Sequence, residues 1–202
     1  MDINTLGVIG AGQMGNGIAQ VAAMSGIHVI MNDISEEFVQ KGLSTITGIL
    51  TRSVGKGKIT ETEKESILGR ISASTDLKDM AGADFVVEAA TENETLKFKI
   101  FKDLDNICPP AAILSTNTSS IPIGRIASQT QRPEKVIGMH FMNPVPVMRL
   151  VEIIRGLATS DETFKATWDL SLKFGKTPAE ANDFPGFIAN RILLPMINEA
   201  VY

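Results

Sequence analysis

The amino-acid sequence predicts an α/β fold built on a doubly wound, mostly parallel sheet. Short apolar runs of strand length alternate with longer segments whose apolar residues recur at helical spacing. A glycine-rich motif follows the first apolar run, as it does in the dinucleotide-binding members of this fold class. With 202 residues, 44% of them hydrophobic, the chain suits one large domain, or one domain and part of a second.

The glycine motif opens the first helix of the predicted fold. Gly10, Gly12 and Gly15 form Gly-x-Gly-x-x-Gly, with Gln13 and Met14 between the last two. Gly10 allows a tight turn out of the strand, Gly12 lets the backbone approach a pyrophosphate, and Gly15 lets the helix pack closely on the strand. The helix N-terminus then faces the phosphates. In this context the motif predicts a Rossmann-type dinucleotide site rather than an ordinary glycine turn.

An acid at the end of the second predicted strand indicates which dinucleotide is bound. Asp33 follows the apolar run over residues 28–31, eighteen residues after Gly15. A carboxylate there can accept hydrogen bonds from the adenosine ribose and repels the 2′-phosphate of NADP. No Arg follows Asp33 directly to pair with that phosphate. The sequence therefore favours NAD, and NADP stays open as the weaker alternative.

The remaining elements follow from periodicity, turns and caps. The first helix is expected to end at Gly26, and Ser35 is a candidate N-cap for a helix from 36 to about 53. Thr60 and Glu63 form a capping box before a short helix ending near Gly69. Later helices are predicted over 96–106, 161–173 and 188–202. Strands are predicted over 6–9, 28–31, 71–73, 85–88, 113–115, 136–140, 150–154 and 177–180, with 150–154 antiparallel.

Polar residues follow the fourth and fifth predicted strands, at the sheet edge where ligands bind in open parallel sheets. Glu92 comes after the fourth strand, and five small polar residues, among them Asn117 and Ser119, come after the fifth. A helix-capping role is the alternative for Glu92, and a capped turn is the alternative for the polar run. Arg52 and Lys56, at the end of the 36–53 helix, suit a solvated basic helix terminus better than a clamp for an anionic ligand tail.

His140 and Glu152 are the candidate catalytic pair. His140 ends the sixth predicted strand, and Glu152 lies inside the apolar run of the seventh. Burying a carboxylate is costly unless it is paired, and two strands joined by a turn can bring these side chains together. Glu152 would then fix the imidazole tautomer, and His140 could take the proton of an alcohol whose carbon loses a hydride. A structural pair, or no pair, is the alternative, and His28 is expected to be structural.

These residues resemble the L-3-hydroxyacyl-CoA dehydrogenase family from one end of the chain to the other. The matching stretches are residues 8–15, 87–90, 117–120, 138–148 and 185–191. The resemblance implies a nicotinamide-cofactor domain over residues 1–184. It implies that residues 185–202 begin a helical second domain, which in the family closes the cleft and forms the dimer. Because most of that domain is absent, the resemblance implies a truncated chain.

The resemblance also implies a reaction, namely reversible NAD-dependent hydride transfer between short-chain L-3-hydroxyacyl-CoA and 3-oxoacyl-CoA. His140 is the implied general acid/base, Glu152 its orienting partner, and Ser119 and Asn190 the residues that hold the substrate. NAD contacts are implied for Glu92, Lys97, Ser119 and Asn143, and Asn117 joins them on the polar rim. Coenzyme A contacts are implied for Arg52 and Lys56, which favours the clamp. A dehydrogenase of another substrate class and a non-catalytic NAD-binding protein remain the alternatives.

Composition argues against other classes of function. The net charge of −4 does not suit a general nucleic-acid binder, and no apolar run approaches membrane-spanning length. The N-terminus lacks the basic region of a signal peptide, and one cysteine, Cys108, fits a reducing compartment. The sequence therefore predicts a cytoplasmic protein with no metal, membrane or nucleic-acid partner.

Overall fold

Eight strands form one sheet in the computed structural model, which describes residues 2–201. They are β1 (Thr5–Ile9), β2 (His28–Asn32), β3 (Ile71–Ser74), β4 (Phe85–Glu88), β5 (Ile113–Thr116), β6 (Val136–Phe141), β7 (Leu150–Arg155) and β8 (Thr177–Asn182). Their order is β3-β2-β1-β4-β5-β6-β7-β8. Neighbouring strands are parallel except for β6 and β7, which are antiparallel. The predicted doubly wound fold is confirmed, and the strand order reverses between β1 and β4.

The helices lie on both faces of this sheet. They are α1 (Gln13–Met24), α2 (Glu36–Gly55), α3 (Glu61–Leu68), α4 (Glu94–Ile107), α5 (Ile123–Ala127), α6 (Asp161–Lys173) and α7 (Ala189–Val201). Ser35 caps α2 and the capping box opens α3, as the sequence predicts. The predicted end of the last helix, Tyr202, lies outside the described residues. The sequence did not predict α5 or the short 3₁₀ turns Leu77–Gly82 and Pro133–Lys135.

The core consists of two apolar layers, one on each face of the sheet. Successive strand residues point to opposite faces, so Phe85 and Val87 join one layer and Val86 joins the other. The first layer contains buried residues of α1, α2 and α6, and the second contains buried residues of α4 and α5. This packing holds the carboxyl ends of β1, β4, β5 and β6 at one edge, where the candidate site lies.

Within residues 2–201, α7 differs from the other long helices because none of its side chains is buried. None of the described helices combines the length and apolar character that a bilayer crossing requires. The same residues contain no group of three or more His, Cys, Asp or Glu arranged to hold a metal ion.

Candidate active site

The glycine motif lies where the strand order reverses. Gly10 leaves β1 with a φ of +98°, and its N–H donates to the carbonyl oxygen of Asn32 at 2.7 Å. A Cβ on Gly15 would lie 1.7 Å from the carbonyl oxygen of Gly10, so only glycine allows this packing of α1 on the turn. A Cβ on Gly12 would meet nothing within 4 Å. Gly12 therefore leaves the N-terminus of α1 open to a ligand.

A cleft of about 880 Å³ opens over this motif. Its lining includes Gly10, Gly12, Gln13, Asp33, Ala90, Thr91 and residues 143–146. Asp33 is held by the N–H of Ala11 and the N–H of Ile34, both 2.7 Å from its carboxylate oxygens. The side chain of Gln13 donates to Oδ1 of Asn143 at 3.2 Å. The open backbone at Gly12 and the acid at the end of β2 suit the pyrophosphate and adenosine ribose of a dinucleotide.

His140 and Glu152 face each other across the antiparallel strands β6 and β7. Both side chains are buried, and Nδ1 of His140 lies 2.7 Å from Oε2 of Glu152. The other ring nitrogen, Nε2, lies 3.0 Å from Oγ of Ser119. The structure therefore contains the predicted pair and joins it to the polar run after β5.

The second oxygen of Glu152 contacts the start of α7. Its Oε1 accepts hydrogen bonds from the N–H groups of Ile188 and Ala189, each at 2.8 Å. Burial raises the pKa of Glu152, but the hydrogen bond from His140 and those from the two amides outweigh it, so the pKa lies below its ordinary value. Glu152 is therefore an ionised acceptor on both sides.

Phe187 adjoins the pair just before α7, and Asn190 lies a few residues further along the chain. Phe187 is buried, and its ring meets the imidazole of His140 at a 5.7 Å centroid separation and a 61° interplanar angle. Its φ of +48° lies in the left-handed region, which is unusual for a bulky residue. Asn190 lies half-buried in the first turn of α7, directly after the amide that binds Glu152.

The polar run after β5 is organised by Glu92. Its Oε1 accepts from the hydroxyl of Thr118, and from the backbone N–H groups of Ser119 and Ser120 at 3.0 and 3.2 Å. The hydroxyl of Ser120 adds a further bond at 2.9 Å. Burial raises the pKa of Glu92, whereas the hydrogen bonds from Thr118 and Ser120 lower it. The charge of Lys97 and the N–H of Ser119 lower it further, so the pKa lies below its ordinary value.

Asn117 and Lys97 do not line the cleft. Oδ1 of Asn117 accepts from the N–H of Phe141 at 2.8 Å, which fixes the polar run beside His140. Nζ of Lys97 is 2.6 Å from Oε1 of Glu88 and 3.4 Å from Oε2 of Glu92. Glu88 was not among the residues predicted for the site. Its signal was a carboxylate in the apolar run Phe-Val-Val-Glu, the same signal that pointed to Glu152.

Arg52 and Lys56 lie at the exposed end of α2. The residues of this helix that line the cleft include Lys41, Thr45 and Ile49, which follow one another at spacings of one helical turn. Arg52 and Lys56 continue the same spacing beyond the cleft and do not line it. The two cations therefore extend the cleft-facing side of α2 towards solvent.

Comparison with known proteins supports the interpretation of this geometry. A family model described as 3-hydroxyacyl-CoA dehydrogenase, NAD binding domain, matches residues 5–184. The chain belongs to the 3-hydroxyacyl-CoA dehydrogenase family. It is therefore an NAD-dependent oxidoreductase.

Close relatives and solved structures agree with this assignment. The chain is 56% identical to a probable 3-hydroxybutyryl-CoA dehydrogenase of Bacillus subtilis, over 100% of this chain and 70% of the relative. It is 54% identical to a 3-hydroxybutyryl-CoA dehydrogenase of Bradyrhizobium diazoefficiens, over 99% and 68%. The crystal structure of (S)-3-hydroxybutyryl-CoA dehydrogenase from Ralstonia eutropha superposes with a TM-score of 0.97 at 53% identity, covering 98% of this chain and 70% of that one.

Proposed function

We propose that the protein catalyses reversible NAD-dependent hydride transfer between L-3-hydroxybutyryl-CoA and acetoacetyl-CoA. The relatives named 3-hydroxybutyryl-CoA dehydrogenase, at 54 and 56% identity, support this choice of substrate. The observation that carries the proposal is the hydrogen-bonded series Ser119–His140–Glu152 beside the cleft. His140 is the penultimate residue of β6 and precedes Asn143, which lines the cleft, by three residues, so an acid/base group adjoins the proposed NAD site.

The chain's own residues handle the proton and the orientation of the substrate. NAD, when bound, accepts the hydride in oxidation and supplies it, as NADH, in reduction. In oxidation, Nε2 of His140 takes the proton of the C3 hydroxyl, and Glu152 stabilises the imidazolium through Nδ1. Oγ of Ser119 lies 3.0 Å from the same Nε2, where it can hold the substrate oxygen. In reduction, His140 returns the proton.

Binding of the rest of the substrate is assigned to Asn190 and to the exposed end of α2. Asn190 directs its amide towards the thioester end, and Arg52 and Lys56 pair with the phosphates of coenzyme A. Glu92, Lys97, Asn117 and Asn143 contribute to the NAD side of the site. These roles rest on the placement of the residues around the cleft and on the family resemblance.

The same proposal includes the domain organisation of the chain and its cellular location. Residues 1–184 form the NAD-binding domain, and 185–202 begin a helical domain through which the protein dimerises. Exposed apolar side chains on α7, among them Ile192, Leu194 and Met196, favour cover by further structure. A cytoplasmic location fits the unpaired Cys108.

The test of this function is oxidation of NADH by the chain with acetoacetyl-CoA, compared with ethyl acetoacetate, which lacks coenzyme A. Turnover with the thioester and little turnover with the ester is the expected result. Arg52→Ala with Lys56→Ala should raise the KM for acetoacetyl-CoA by about tenfold, corresponding to ~1.4 kcal/mol of lost binding. Lys173→Ala, a basic residue in the last turn of α6, is the matched control. NADH binding without turnover would favour the non-catalytic alternative.

A further inference from the structure

A second buried ion pair lies beneath the polar loop that carries Ser119. Glu88 is the last residue of β4 and Lys97 lies in α4, and their side chains are 0% and 1% exposed. Their charged atoms are 2.6 Å apart. Removing two charges from water costs free energy that their attraction offsets only in part, so stability alone is a weak explanation for such a pair. Its contacts indicate what else it does.

Glu88 is fixed from two sides. Its Oε1 accepts from Nζ of Lys97 and from the N–H of Ala90, at 2.6 and 2.7 Å. Its Oε2 accepts from the hydroxyl of Thr116 at 2.7 Å, and Thr116 is its partner residue on β5. The carboxylate therefore has one position, and it holds Lys97 in one position.

Lys97 in turn faces Glu92. Nζ lies 3.4 Å from Oε2 of Glu92, whereas the other oxygen, Oε1, holds the loop of Thr118, Ser119 and Ser120. The two oxygens of Glu92 thus have different partners: Oε2 faces the buried cation of Lys97, and Oε1 binds the loop. A loop fixed in this way keeps Oγ of Ser119 within 3.0 Å of Nε2 of His140.

We propose that Glu88 and Lys97 are positioning residues for the hydride-transfer reaction. They set the position of Glu92, and Glu92 sets the backbone of Ser119 so that its hydroxyl faces His140. The inference rests on the proposed function of Ser119 and His140. It assigns Lys97 a task that does not require contact with the cofactor, because its Nζ donates to Glu88 and to the carbonyl oxygen of Ala90 and forms an ion pair with Glu92.

The test separates positioning from stability by replacing the whole pair with apolar residues. Removing one partner would leave a buried unpaired charge and risks unfolding, whereas apolar replacement of both often preserves stability. The variant is Glu88→Leu with Lys97→Met. The matched control is Asp169→Leu with Lys165→Met, which removes an exposed ion pair in α6. Thr116→Val is the milder variant, since it removes a single hydroxyl, which donates to Oε2 of Glu88 and accepts from the N–H of Thr118.

Two readouts report on the positioning. The first is the kcat for acetoacetyl-CoA, which we expect to fall about tenfold in the double variant while the KM stays within about twofold, because Arg52 and Lys56 are untouched. The second is the ring NMR signal of His140. The chain has two histidines, so exposed His28 provides an internal reference whose signal should not move. We expect the His140 signal to shift in the double variant and not in the control.

The two readouts test the positioning role whether or not the chain turns over acetoacetyl-CoA. If the wild type shows no turnover, the proposed function fails, and the His140 signal still tests the positioning alone. A folded double variant with unchanged kcat and an unchanged His140 signal would show that the pair is merely structural. Weaker NADH binding with an unchanged His140 signal would overturn the proposal in favour of direct cofactor contact. If the double variant does not fold, Thr116→Val decides, with about threefold lower kcat expected and no change contradicting the proposal.

Discussion

Replacing Glu152 by glutamine tests the catalytic pair with little change in shape. The carboxylate has two acceptor oxygens, one for Nδ1 of His140 and one for the amides of Ile188 and Ala189. Glutamine offers one acceptor oxygen and one NH₂ donor. If the oxygen stays on the amides, the NH₂ faces Nδ1, and the ring must carry its hydrogen on Nε2, towards Ser119. If the side chain flips, two part-buried N–H groups lose their acceptor, at up to about 1–3 kcal/mol each.

The arrangement that keeps the glutamine oxygen on the two amides costs less free energy. We therefore expect His140 to carry its hydrogen on Nε2, which is the wrong tautomer for taking a proton there. General acid/base catalysis contributes roughly 10²- to 10⁴-fold, and we expect Glu152→Gln to lower kcat by about 10²- to 10³-fold. This corresponds to roughly 3–4 kcal/mol of transition-state stabilisation.

The assay is steady-state oxidation of NADH with acetoacetyl-CoA, together with an NADH binding titration. The NADH dissociation constant should not change, because Glu152 does not line the cleft. Glu180→Gln, an exposed acid on the adjacent strand β8, is the matched control and should leave kcat unchanged. A kcat for Glu152→Gln within about threefold of the wild type would refute the tautomer argument.

Three further predictions concern the cofactor, the glycine turn and the response to pH. Asp33→Ala should weaken NADH binding more than NADPH binding, because it removes both the ribose acceptor and the repulsion of the 2′-phosphate; equal losses in two titrations would contradict this role. Gly15→Ala should lower the free energy of unfolding by at least about 1–3 kcal/mol, because its Cβ would lie 1.7 Å from the oxygen of Gly10; urea denaturation measures this, and an unchanged midpoint would contradict it. The pKa of Glu152 is lowered on folding, so its stabilisation is present above its unfolded pKa and is lost as the pH falls through the folded value. The wild type should therefore lose stability on acidification below about pH 4.5 more steeply than Glu152→Gln, and parallel losses in melting temperature would contradict this.

The fold was predictable where local signals agreed with the tertiary structure. The apolar run before Gly10, the cap at Ser35 and the capping box at Thr60 each act through neighbouring residues, and each is present in the structure. By contrast, α5 has five residues, and its first amides are held by Asp183, about sixty residues away along the chain. A helix of that length leaves no periodic pattern, so only the tertiary contact identifies it.

The site was predictable to the extent that its chemistry depends on side chains at strand ends. A carboxylate inside an apolar strand requires a partner, which led from Glu152 to His140. The same reasoning applied to Glu88 would have led to Lys97. The second anchor of Glu152 could not be predicted, because it consists of the backbone amides of Ile188 and Ala189, and backbone groups are present at every position. The inward position of Phe187 depends on its positive φ, which no residue type in that segment signals.

The most direct test of the proposed function compares His140→Gln with His28→Gln in acetoacetyl-CoA-dependent oxidation of NADH. His28 is exposed at the start of β2, so its variant controls for the loss of an imidazole away from the site. We expect His28→Gln to match the wild type and His140→Gln to lose at least about 100-fold in kcat, while both bind NADH as the wild type does. Turnover by His140→Gln at the wild-type rate would remove His140 from the mechanism and contradict the proposed function of the site.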